Sequence, residues 1–111
     1  MPSFAECTEE QKRAEIELLV YKEPNGVKAG GKHGMMDRII IKAPVTVSGI
    51  PIEAMELTRG EVSELWIPVA YELSDGVAVT AISGYPDAIK NFEIAVYYKN
   101  DNCKKSIQRM L

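Results

Sequence analysis

Between residues 64 and 73 the apolar side chains fall on every second position. Leu65, Ile67, Val69, Tyr71 and Leu73 alternate with Glu64, Trp66, Pro68, Ala70 and Glu72. A period of two is the mark of a β-strand with one buried face. Asp75-Gly76 then supplies the two left-handed positions of a tight type I′ turn, and Val77 to Ile82 returns. With a two-residue loop, Leu73 faces Ala78, Tyr71 faces Thr80 and Val69 faces Ile82. Pro68 has no N–H to give a ladder, so this strand is an edge or carries a bulge.

The same reasoning extends along the chain. Met36 to Ala43 holds three consecutive isoleucines, Ile39 to Ile41, and β-branched runs favour strands. Pro44 ends it. Val45 to Val47, Ile50 to Leu57 and Phe92 to Tyr98 read as further strands, with Pro51 again marking an edge or bulge. Ile16, Leu18 and Val20 alternate with Glu15, Glu17, Leu19 and Tyr21, a strand pattern for which a helix running on to residue 21 is the rival. Pro24-Asn25-Gly26 is expected to stop either one and to open a glycine-rich loop over 24–34, and Ser83 to Asp87 reads as another loop.

The two ends read as short helices. Thr8 and Gln11 fit a capping box, with Glu9 and Glu10 in the dipole-favoured first turn. Asn100-Asp101-Asn102 can cap a second helix, in which Cys103, Ile107 and Met110 form an i, i+4, i+7 stripe. Six or seven short strands with frequent turns predict a single domain over 1–111. Its expected fold is an immunoglobulin-like or fibronectin-like β-sandwich with a short helix at each end.

Composition changes this picture little. The 111 residues, 46% apolar and 26% charged, are ordinary for one globular core. The net charge of −3 argues against a nucleic-acid partner, which needs cations to displace phosphate counterions. The start, Met1 to Glu6, shows no signal-peptide pattern, and no apolar run is long enough to insert in a membrane. The expectation is a cytoplasmic protein, one exported without a leader, or one whose leader was removed. Cys7 and Cys103 stand near opposite ends at no metal or redox spacing. Either they pin the termini as a disulfide or they are reduced, small core residues.

Candidate chemistry is thin. Gly26 to His33 is one residue short of a phosphate-binding loop: His33 stands where Ser or Thr would bind magnesium, and a strand-like run follows where a helix should. His33 is the only histidine. Its use as a base needs Cys7 or Cys103 as nucleophile and Asp37 as orienter, brought together by the fold. The same residues lack zinc-ligand spacing. Carboxylate pairs such as Glu53 with Glu56, or Glu61 with Glu64, fit solvated strand surfaces better than general acid work. No enzyme, cofactor or metal is expected. Trp66, on the face of its strand opposite Leu65 and Ile67, is a candidate contact aromatic. Tyr71 and Tyr85, with Lys32 and His33 from the loop, complete the candidate partner-binding set.

Met36-Asp37 before a β run, Ser74-Asp75-Gly76 at a turn, and Ser83-Gly84-Tyr85 followed by Ile94-Ala95-Val96-Tyr97 resemble the fungal immunomodulatory proteins. The resemblance spans roughly residues 36–98. It implies a fibronectin-type sandwich that dimerises through its N-terminal helix and adjoining strand, binds glycans and has no catalytic residues. The chain departs from that family in its loop, where Gly30-Gly31-Lys32-His33-Gly34 replaces Trp-Gly-Arg-Gly, and in holding cysteine, histidine and five methionines.

The functional expectation is a non-catalytic recognition protein, lectin-like or protein-binding, and homodimeric. Its partner is a protein or a glycan. The alternative is a small inhibitor or effector that acts on a partner enzyme through the 24–34 loop.

Overall fold

The computed structural model describes residues 7–28, 35–59 and 62–111, with side chains described outside 24–28, 35 and 62–66. The chain is mainly β. Strands β1 (Leu19–Lys28), β2 (Met35–Pro44), β7 (Val77–Gly84) and β6 (Glu72–Ser74) form one antiparallel sheet in the order β1-β2-β7-β6. Strands β3 (Thr46–Val47), β4 (Ile50–Arg59), β8 (Phe92–Asn100) and β9 (Cys103–Met110) form the second, with β5 (Val62–Val69) added to β4. In immunoglobulin lettering these are A-B-E-D facing C′-C-F-G. The sandwich expectation therefore holds.

The core lies between the sheets. Ile39 and Ile41 of β2 and Ala78 of β7 meet Ile50 and Met55 of β4 and Ile94, Val96 and Tyr98 of β8. Each large aliphatic side chain buried there contributes on the order of 1.5–3 kcal/mol relative to exposure. The Ile39-Ile40-Ile41 run splits as a strand must: its outer members are fully buried and Ile40 takes the opposite face.

Helix α1 (Glu9–Arg13) forms as the capping box predicts. The Thr8 amide donates to Gln11 Oε1 at 2.9 Å and the Gln11 amide donates to Thr8 Oγ1 at 3.1 Å. It stops at Ala14, residues 15–18 are neither helix nor strand, and β1 begins at Leu19, so the strand reading of residues 15–21 holds from Leu19 on. The stop expected at Pro24 does not occur. Strand β1 runs on to Lys28 through a register shift between Glu23 and Val27. An edge strand with one free side tolerates proline at such an irregularity.

The predicted C-terminal helix is a strand. Residues 103–110 form β9, joined to β8 through Asp101-Asn102, with Asp101 at φ 52°. An i, i+4 pair shares a face in a strand as well as in a helix, so Cys103 and Ile107 misled the helical reading. Met110, the third member of the stripe, points away and is 56% exposed. The period that decides is Cys103, Lys105, Ile107, Arg109, all turned toward the N-terminal segment. The second short helix is instead α2 (Pro86–Ile89), inside what reads as a loop.

The alternating run 64–73 also divides. Asp75-Gly76 turns as predicted, with φ of 51° and 79°, and Leu73 faces Ala78. Upstream of Glu72 the chain leaves that sheet. Val69 pairs with Met55 of β4 rather than with Ile82. Pro68, opposite Glu56, sits on the outer edge of the second sheet. The Thr80 hydroxyl donates to the Ala70 carbonyl at 2.7 Å and holds the crossover. Strand β6 is only three residues long, so Leu73, expected in the core, is 62% exposed.

Candidate interaction surface

The sheet register assigns each described strand residue to the core face or to solvent. On the outer face of the first sheet, direct cross-strand partners form rows. Leu19 pairs with Lys42, Lys42 with Val79, and Val79 with Glu72. The next row is Tyr21, Ile40 and Ala81. Directly opposed residues in antiparallel strands project from the same face. These two rows and Val77 hold an apolar patch, with Leu19 and Tyr21 each 48% exposed and Ile40, Val77 and Val79 half-buried, bordered by the polar row Glu23, Arg38 and Ser83. An outward sheet face is ordinarily polar, and a contiguous exposed apolar patch marks a contact surface.

Its charges are Lys42 and Glu72 within the patch and Glu23 and Arg38 at its border. Lys42 rises from the central strand β2 with its Nζ 5.8 Å from the centre of the Tyr21 ring. Glu72 stands two strands away on β6, in the same row. One row further along β7, the chain has already crossed to the other sheet, and the sheet ends early. The resulting open groove, about 390 Å³, is lined by Ala70, Tyr71, Glu72, Val79, Thr80 and Ala81.

The second sheet presents a different outer face. There Tyr97 hydrogen-bonds Glu56 and Gln108. Burial raises the Tyr97 phenol above its usual range, and the Glu56 charge adds to the shift. At one end of the sandwich a small apolar cavity of about 170 Å³ lies between Leu57, Ile82, Ile89, Phe92 and Leu111.

Of the predicted partner-binding residues, the side chains of Tyr71 and Tyr85 are described. Lys32 and His33 lie outside the described residues, as does most of the loop offered as an inhibitory element. The Trp66 backbone pairs with Thr58 in the second sheet, and its side chain lies outside the description. Tyr71 is half-buried against the core and borders the groove. Tyr85 is the N-cap residue of α2, half-buried. Of the two side chains of this set that are described, Tyr71 adjoins the apolar face.

The Cys–His–Asp arrangement is not assembled. Cys7 and Cys103 form a disulfide with Cα atoms 4.6 Å apart, so no free thiol remains. Asp37 is buried opposite Gly84, whereas Cys103 follows the β8–β9 turn. Pro44 lies at the Cys103 end of the sandwich, where it accepts from Tyr98. The seven residues from Asp37 to Pro44 span ~23 Å of strand. Among the described residues no three His, Cys, Asp or Glu side chains cluster as metal ligands. Among them, too, no helix is long and apolar enough to cross a membrane.

The signal for the apolar face was present in the sequence. Leu18-Leu19-Val20-Tyr21, Ile39-Ile40-Ile41 and Val77-Ala78-Val79 do not alternate, so apolar groups stand on both faces of three adjacent strands. Only the strand order shows that their outward members share one surface. No family, no curated protein and no solved structure matches this chain.

Proposed function

We propose that this is a non-catalytic recognition domain that binds a protein partner through the outer face of the β1-β2-β7-β6 sheet. The observation that carries the reading is the exposed apolar patch of Leu19, Tyr21, Ile40, Val77 and Val79 on that face. Loss of this patch from water would favour association, at ~25 cal/mol per Å² before the costs of docking. The disulfide across a separation of 96 residues supports an oxidising compartment such as the cell exterior. The resemblance to fungal immunomodulatory proteins points toward non-enzymatic binding.

The test is a cross-linking pull-down from secretions and extracts of the source organism. The baits are the wild-type chain and a variant carrying Leu19→Lys and Tyr21→Glu, both checked by circular dichroism. The wild type is expected to retain a protein that the variant loses. Equal retention by the two baits overturns the reading.

A further inference from the structure

The geometry points to a second copy of this chain as an occupant of the outer sheet face, seated by a two-fold axis that runs along β7. This rests on reading that face as a contact surface, and it names one partner for it.

The argument starts from the row Lys42, Val79, Glu72. Lys42 and Glu72 flank Val79 at one strand spacing on either side, ~4.8 Å each. A two-fold axis lying along β7 exchanges the two flanks. The partner's Glu72 then stands over Lys42, and the partner's Lys42 over Glu72, giving two equivalent ion pairs. No other placement of the axis parallel to the strands sets these opposite charges directly over each other. An isologous contact must be self-complementary in this way.

Shape agrees with charge. In the adjoining row Ile40 is one strand to one side of Ala81. The groove beside Ala70 and Tyr71 lies one strand to the other side, where β6 is missing. The same axis places the partner's Ile40 over that groove. Along the axis itself Val77, Val79 and Ala81 meet their own copies, and these side chains are small enough for sheets to approach to ~10 Å. An axis along β7 leaves the two copies of that strand parallel, within the ~30° of aligned face-to-face sheets, and the lysine stem takes up a displacement of a few Å at one strand spacing from the axis.

The overlap is small. The eight residues of β7 over its own copy, and three-residue β6 over β2 on either side, ~4.8 Å apart, cover roughly 230 Å² in projection. A standard interface buries about 800 Å² per partner, so this dimer belongs among weak, concentration-dependent contacts.

The experiment is sedimentation velocity on the full, oxidised chain from about 10 μM to 1 mM, a range set by that interface class. It compares wild type, Lys42→Glu, Glu72→Lys and the double exchange. The wild-type mass is expected to rise with concentration from 12.3 kDa toward twice that value. Each single reversal should weaken association about tenfold or more, and the double exchange should restore it. A wild type that stays monomeric at the top of the range overturns the two-copy assignment. So does a dimer that the single reversals leave unchanged, or that the double exchange fails to restore. Either outcome leaves the wider recognition reading to the Leu19 and Tyr21 pull-down, because those two residues lie beyond the overlap of the paired sheets.

Discussion

The Tyr98 hydroxyl donates to the Pro44 carbonyl at 2.7 Å, tying the second sheet to the last residue of β2 in the first. Tyr98 is fully buried, so this bond is made where water cannot replace it. Burial pushes its phenol up to about 12, with the neighbouring Tyr71 adding to the shift.

Two consequences follow for Tyr98→Phe. At neutral pH the variant leaves the Pro44 carbonyl without its donor and should lose about 1–3 kcal/mol in urea unfolding. The pH dependence has a definite sign. Between the unfolded phenol value near 10 and the folded value of about 12, the native state holds a proton that the unfolded state releases. Wild-type stability from this group is full below pH 10 and is lost as pH rises through 12. The variant should show a shallower fall over that window. An identical fall in both proteins would mean that Tyr98 does not titrate as described.

The disulfide between Cys7 and Cys103 closes a span of 96 residues. In the chain-entropy model such a loop is worth about 4.7 kcal/mol. Reduction by a dithiol, or the Cys7→Ser, Cys103→Ser double variant, should lower the unfolding free energy by about 2–5 kcal/mol. Amide exchange should quicken first at residues 14–18. Unchanged urea midpoints after verified reduction would show that the bridge adds nothing to stability.

Lys105 secures the same segment by another route. Its ammonium donates to the Gln11 carbonyl at 2.6 Å and also to the carbonyls of Lys12 and Ala14, the unpaired acceptors at the end of α1. Arg109, two strand steps further along β9, donates to the Leu18 carbonyl. A five-residue helix has no stability of its own. Lys105→Met should therefore cost about 1.5–3 kcal/mol and speed amide exchange at Lys12 and Ala14. Exchange rates equal to wild type there would remove Lys105 from this role.

Much of the fold was legible in local chemistry. The Thr8–Gln11 capping box, the Asp75-Gly76 turn and the Ile39–Ile41 strand depend on residues adjacent in sequence, and the structure keeps them all. The misreadings turned mainly on strand pairing. Residues 103–110 are a strand because they pair with β8 across the Asp101-Asn102 turn, and Cys103, Lys105 and Arg109 then meet Cys7, Gln11 and Leu18, about 90 positions away. The run 64–73 changes sheets because Met55 and Thr80 hold its two halves apart. The candidate surface was less legible than the fold. Residue type pointed to Trp66, Tyr71 and Tyr85, whereas the apolar face is built of Tyr21 and ordinary aliphatic residues.

By itself the sequence determined that the chain would be sheet, where several of its turns fall, and that its strands bury β-branched residues. Backbone preference and side-chain period act over a few residues, and that is enough for such choices. The tertiary structure decided which strands are neighbours, whether the two thiols meet and which apolar side chains are left facing water. Those are properties of strand order, and strand order is set by the packing of two sheets against each other.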